Sequence, residues 1–312
     1  MYDFLVFKQR GVLMLVILEQ LAMLFVFMLC GFLMGKKKLV KSDQTKVLSV
    51  IGIYMFLPCT VFNSFYNNFT VANITKYYKL ILTGVVILCI LVAVSYFVSK
   101  LLSKDSYPRK VFRYTLTISN YGYMGYALCQ SLYGDVGLFY MILFALPFIF
   151  YTYTFGYSML TNTKVSFKKA FNPILIALVI GAFFGVTAIK LPEIAETLVN
   201  KSASCMAPIS MLLAGMTIAE FSVKDLVTDI KMYIVSILRL FVIPLLVLGA
   251  LKFLTDDVNL VRSAVILCAM PSGLNTIVFP KLIGEDCRTG AKLAFVSHIL
   301  ALASIPLILN VI

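Results

Sequence analysis

Acidic side chains are scarce in this 312-residue chain, with 14 Asp and Glu against 27 Lys and Arg. All nine aspartates fall in short polar gaps or at the ends of apolar runs, and Glu19, beside Gln20, is the one carboxylate well inside a run. This excludes membrane aspartyl proteases, which need two acids on neighbouring spans. It also excludes antiporters that hold their ion on intramembrane carboxylates. Histidine occurs once, as His298. No HExxH, GxSxG or Walker pattern is present, which disfavours zinc peptidases, serine hydrolases and ATP-driven pumps. The seven cysteines include no CxxC pair, so neither a disulfide framework nor a metal site is indicated. Most lie inside apolar runs and are expected to act as small buried hydrophobes.

What the chain has in excess is apolar surface. It is 61% hydrophobic with a mean hydropathy of +0.96, against about 45–50% apolar residues in a soluble domain. The excess arrives in blocks near the ~20 residues that a helix needs to cross the hydrocarbon. Ten spans are expected, at roughly 13–35, 45–64, 78–100, 110–131, 136–160, 172–189, 195–219, 231–251, 262–282 and 289–311. The first is too long for a signal-peptide core and lacks a cleavage site, so it reads as a retained span. The net charge of +13 is spread through the gaps rather than gathered on one polar face. That pattern points to the lipid bilayer and away from nucleic acid as a partner. Eighteen Lys and Arg lie in the gaps after odd-numbered spans and eight on the other side, with Arg239 inside a span. The positive-inside rule then places both termini outside, in a plasma or inner membrane. Two glycosylation sequons, at Asn68 and Asn73, fall in a gap on the outer side. Chance occurrence is the better reading of them.

The chain repeats itself weakly. Pro58 matches Pro208, and Gly134-Asp135 matches Gly284-Glu285, each at an offset of 150. Two five-span halves follow, 1–165 and 166–312. An odd span number makes them inverted repeats, with a binding site expected near the midplane where they meet. The fourth block carries Ser119-Asn120-Tyr121-Gly122-Tyr123-Met124-Gly125-Tyr126 and the ninth carries Met270-Pro271-Ser272-Gly273-Leu274-Asn275. Asn and Gly weaken a helix, and Pro271 removes a donor and clashes with the preceding turn. Unwound backbone at membrane depth survives only beside a cavity or inside protein. Each broken helix presents a half-helix N-terminus, which suits an anion. The competing reading is glycine used for close helix packing. Arg239 reads either as a source of positive potential or as a side chain snorkelling to the headgroups. His298 reads either as a proton-exchanging group or as a neutral, hydrogen-bonded core residue. Pro58 and Pro208 read as scaffold kinks.

These segments together resemble the auxin efflux carrier family, which includes plant PIN carriers and bacterial dicarboxylate permeases. Phe56-Leu57-Pro58 is similar to its second-span proline segment, Asn120 to Gly125 to its fourth-span pattern, Ala207 to Met211 with Gly215 to its seventh span, and Met270-Pro271-Ser272 to its ninth-span crossover. The resemblance implies an all-α membrane protein of ten helices, with broken helices 4 and 9 crossing, as in bile-acid sodium symporters. It also implies a scaffold of spans 1, 2, 6 and 7, a moving core, a homodimer and elevator-type alternating access. By the same similarity Asn120 and the backbone around Pro271 touch substrate. The chain departs from the family in having Ala127 where a proline is usual and His298 where threonine is common. It also lacks the long cytoplasmic loop of many plant carriers, which makes it a short microbial-type relative.

The function expected is a secondary transporter of small organic anions, mono- or dicarboxylates including auxin-like acids, and not an enzyme. A receptor or sensor on the same scaffold is the alternative. The expected substrate site is Asn120, Gly122, Gly125, Pro271, Ser272, Asn275 and Arg239. His298 is the coupling candidate, no cofactor or metal is expected, and the coupling ion is left open between proton and sodium.

Overall fold

The chain folds as helices joined by short connections. The computed structural model describes the backbone of all residues except 1, 41, 72 and 73, and the side chains of all except 1–13, 41–43, 72–76 and 169–170. The helices are α1 (Tyr2–Lys36), α2 (42–68), α3 (Ile74–Leu102), α4 (Ser106–Thr117), α5 (121–133), α6 (135–161), α7 (Pro173–Thr187), α8 (193–218), α9 (Val223–Val227), α10 (Ile230–Leu254), α11 (Val258–Ala269), α12 (Asn275–Leu282) and α13 (Arg288–Leu309). No strand occurs among the described residues; their only β-type pairing is an isolated antiparallel bridge between Ser119 and Ser272. Six helical stretches are long and apolar enough to cross a bilayer: Met14–Lys36, Gln44–Asn68, Tyr77–Leu102, Tyr121–Thr161, Ile230–Leu254 and Arg288–Leu309. The protein is therefore an all-helical membrane protein.

Local chemistry accounts for the punctuation. Asn172 caps α7, its side-chain oxygen accepting from the N–H groups of Ile174 and Leu175, with Pro173 in the first turn. Asp257 caps α11 in the same way through Asn259 and Leu260. The stretch Tyr121–Thr161 is two helices meeting at Gly134, whose φ of 68° only glycine adopts without strain. Gly284, with φ 79°, lies between α12 and α13. Both glycines of the matched Gly-acid pairs thus take positive φ at junctions between helices. Pro208 deprives the Ser204 carbonyl of its helical partner, and α8 breaks beside it at Cys205. Pro58 directly follows a π turn at Gly52–Phe56 in α2. Further π turns occur at Tyr121–Gly125, Thr152–Gly156 and Leu238–Val242.

Two helix pairs make the most extensive contacts. α1 packs along α8, and α2 along α7. The first pair is held by backbone contact: a Cβ on Gly31 would run into the Leu212 carbonyl, and one on Gly215 into the Met28 carbonyl. Small residues are the usual means of close approach in a membrane, where hydrocarbon solvent gives apolar side chains no drive to associate. The two pairs adjoin through α2 and α8; beyond them α3 packs on α4 and on the α5–α6 pair, that pair packs on α11, and α10 packs on α11 and α13.

Several sequence expectations can be placed. Glu19 sits on an exposed face of α1. Cys129, Cys268 and Cys287 are buried, but Cys30 and Cys89 are exposed, because an apolar span turns part of its surface to lipid. Asn68 closes α2 and donates its amide to the Ser64 carbonyl. The Asn73 sequon and the basic residues Lys8, Arg10, Lys41, Lys76 and Lys169 lie outside the described residues.

Gly215→Ala is expected to push α1 off α8 and to cost about 1–3 kcal/mol, read as a lower melting temperature in detergent. Gly249→Ala serves as the contrast. No atom lies near its Cβ position, so that change is expected to be neutral or slightly stabilising.

Candidate functional site

The fourth and ninth apolar blocks are each two helices separated by extended chain. α4 ends at Thr117, Ile118 is extended (φ −114°, ψ 124°), and helix resumes after Asn120 as a π turn. α11 ends at Ala269, and Met270 is extended (φ −71°, ψ 149°), the conformation that a following proline imposes. The two extended pieces cross. Ser119 pairs with Ser272, and the Asn120 N–H donates to the Pro271 carbonyl at 2.8 Å. Side chains tie the crossing to its surroundings. The Ser272 N–H donates to Ser297 Oγ at 3.0 Å, Thr115 and Ser272 share a hydroxyl contact of 3.1 Å, and Ser119 Oγ donates to the Leu267 carbonyl at 2.6 Å.

A helix that stops in mid-membrane leaves its last carbonyls without partners. Arg239, in the π turn of α10, meets this need. Its Nη1 donates to the Leu116 carbonyl at 3.2 Å, its Nη2 to Leu267 at 3.1 Å and its Nε to Met270 at 3.4 Å. One guanidinium thus joins the C-terminal ends of α4 and α11, where a cation also complements both helix dipoles. Arg239 is fully buried, so it does not snorkel.

His298, on α13, faces Asn120. Its Nδ1 lies 2.7 Å from the Ala294 carbonyl, and its Nε2 lies 3.0 Å from Asn120 Nδ2. A carbonyl can only accept, so Nδ1 carries the hydrogen. In a neutral ring Nε2 then accepts from the Asn120 amide. Asn120 is 1% exposed, and its Oδ1 has no protein partner. Asn275 repeats this pattern in the other half. Its Nδ2 donates to Tyr114 Oη at 3.2 Å, and its Oδ1 is buried without a protein partner.

Both asparagines line one small cavity of about 30 Å³, together with Gly122, Tyr126, Tyr153 and Leu57. A second cavity of about 60 Å³ shares Gly122, Tyr123 and Tyr126 and reaches Thr60, Gln130 and Ala207. The first has room for about one or two water molecules and is smaller than any dicarboxylate. Of the expected site residues, Asn120, Gly122 and Asn275 line the first cavity. Pro271 and Ser272 are part of the crossing itself, and Arg239 and His298 brace it from α10 and α13; none of the four lines the cavity. Gly125 packs against Met141 and Met270. Pro58 and Pro208 touch neither cavity, but their neighbours Leu57 and Ala207 do. Sequence reasoning missed Tyr126 and Tyr153 as lining groups; the buried Tyr126 hydroxyl has no protein partner. The available signal was tyrosine recurring within apolar blocks. Among the described residues no cluster of metal-ligating side chains occurs.

Arg239→Gln is expected to strand carbonyls at both half-helix ends and to destabilise the protein by roughly 3–5 kcal/mol, at about 1–3 kcal/mol for each group left unpaired. Thermal melting of the purified protein measures this. Arg239→Lys, which keeps charge but not the planar fork, is expected to fall between.

Comparison with known proteins agrees with this architecture. A family described as membrane transport protein, the group that includes the auxin efflux carriers, matches residues 16–169 and again 158–309. An uncharacterized transporter of Methanocaldococcus jannaschii is 24% identical over 93% of this chain and 97% of its own length. Another, from Methanothermobacter thermautotrophicus, is 22% identical over 93% of this chain and 96% of its own. With a family match across nearly its whole length, the chain belongs to the membrane transport protein family of the auxin efflux carriers.

Proposed function

We propose that this membrane transporter carries small organic anions, mono- or dicarboxylates, through the helix crossing by elevator-type alternating access. The observation that carries this reading is the crossing itself: two broken helices, clamped by one arginine, with an asparagine from each beside a common cavity. The half-helices α5 and α12 begin at that cavity, and helix N-termini attract anions. The absence of carboxylates among its lining residues fits the same charge. The matched positive-φ glycines and the twofold family match support an inverted-repeat design of ten spans. The tight α1–α8 and α2–α7 pairs fit a fixed scaffold, which would also be the natural dimer face. The small cavity fits a state closed around the crossing.

Of the two coupling ions left open, the proton is the one that the asparagine geometry supports. With a neutral His298, Asn120 turns its oxygen, an acceptor, toward the cavity. A second proton on His298 makes Nε2 a donor, and the Asn120 amide then reverses and offers N–H to the cavity. No Asp or Glu lines the cavity to hold that proton on His298; Arg239 is the buried cation on the other side of the crossing, and tyrosines 114, 121, 123, 126 and 153 supply the hydroxyls. An entering anion is then the partner that balances the imidazolium. Asn275 reverses more freely, because the Tyr114 hydroxyl both donates and accepts.

In proteoliposomes, Asn120→Ala is expected to abolish uptake of labelled malate or its competing acids while leaving the melting temperature near the parent value. Normal uptake would remove the crossing as the site. Because the anion enters with a proton, uptake is expected to rise as the outside pH falls. His298→Gln is expected to flatten that dependence, and an unaltered pH profile in that variant would argue for another coupling route.

A further inference from the structure

A second anion-selective feature lies away from the crossing, at the junction of α3, α4 and α6. Lys100, Arg109, Lys110 and Arg113 line a cleft of about 340 Å³ with Tyr96 and Met159, and no Asp or Glu lines it. Tyr96 organises two of the cations. Lys100 donates to its hydroxyl at 2.7 Å and lies 4.0 Å from the ring centroid, and the Arg113 guanidinium lies 5.1 Å from it. Arg109 is braced by the carbonyls of Ser103 and Lys104, and Lys110 by Asn162. Arg113 is half-buried, and its Nε is buried without a protein partner. Four cations on two helices, with no acid among the residues lining the cleft, repel one another, an arrangement that an anion relieves.

The cleft does not end in water on its inner side. A groove of about 640 Å³ continues from it along α3, sharing Arg113 and Met159 and walled by Leu88, Val92, Phe155 and Val165. From Lys100 back to Cys89, which also lines the groove, the helix rises about 16 Å. One leaflet's share of a ~30 Å hydrocarbon core is close to that length. We propose that this cleft and groove form a binding site for one anionic phospholipid, with the phosphate among Lys100, Arg109 and Arg113 and an acyl chain in the groove. Basic pockets between spanning helices are the expected receptors for such headgroups, and these four residues belong to the side on which Lys and Arg concentrate. The bound lipid would steady α4, which ends at Thr117 beside the crossing and is tied to α3 by the 2.9 Å contact between Thr117 and Ser95.

Native mass spectrometry of the full-length protein with phosphatidylglycerol or phosphatidylcholine tests the site. Preferential retention of phosphatidylglycerol is expected. Arg109→Gln with Arg113→Gln is expected to weaken it about thirtyfold, the effect of removing two basic side chains at an anionic headgroup. Cys89→Trp fills the groove without changing charge and is expected to weaken retention too; this variant carries the test if the double variant fails to fold, as judged by melting. Equal retention of the two lipids, or retention unchanged in the folded variants, overturns the proposal. Displacement of phosphatidylglycerol by millimolar inorganic phosphate overturns it as well, by marking a site for soluble anions.

Discussion

Two chain breaks inside a membrane leave backbone carbonyls with neither helix nor water to satisfy them, and in this protein Arg239 supplies the missing donors. Its planar guanidinium reaches Leu116, Leu267 and Met270 together, a span that a lysine ammonium cannot cover. The cost of burying a charge is offset by charge-assisted bonds to carbonyls that need them and by the negative ends of two helix dipoles. Without this clamp, the carbonyls of Leu116, Leu267 and Met270 would lose the donor that Arg239 gives each of them.

What the clamp maintains is a short piece of extended chain in each half, joined by one bridge and one backbone hydrogen bond. Serine and threonine hydroxyls satisfy much of the remainder locally, so the crossing is polar but mostly closed. Of the ten buried side-chain atoms without a protein partner among the described residues, four, on Asn120, Tyr126, Thr152 and Asn275, belong to residues that line the cavity. Buried polar atoms of this kind are costly, and their grouping around one cavity is the strongest physical argument that the cavity is a site. His298 adds direction to it, because its hydrogen bond to Ala294 determines which face Asn120 shows.

The surrounding helices make such a crossing sustainable. Glycine contacts bring the backbones of α1 and α8 together, so this pair is rigid and unsuited to sliding within itself. Gly134 and Gly284 take positive φ between α5 and α6 and between α12 and α13, where other residues would be strained. π turns at Tyr121, Thr152 and Leu238 widen the helices where Asn120, Tyr153 and Arg239 must be aimed.

Composition and block length by themselves determined that the chain is helical and membrane-embedded, because hydrocarbon admits few alternatives. The breaker residues also marked both crossing segments, since Asn, Gly and Pro act on the backbone locally and need no partner to be read. The resemblance carried by those segments led to the family. The task of Arg239 was not legible, because a buried cation and a snorkelling one have the same sequence, and only the approach of Leu116 and Leu267 from distant helices separates them. The pairing of His298 with Asn120 spans 178 positions, and no local pattern encodes it. The tyrosines of the cavity recur within apolar blocks, but recurrence alone does not say which of them line a cavity. Tertiary structure decided these points, because a side chain's role depends on which unpaired group folding brings within about 3 Å of it.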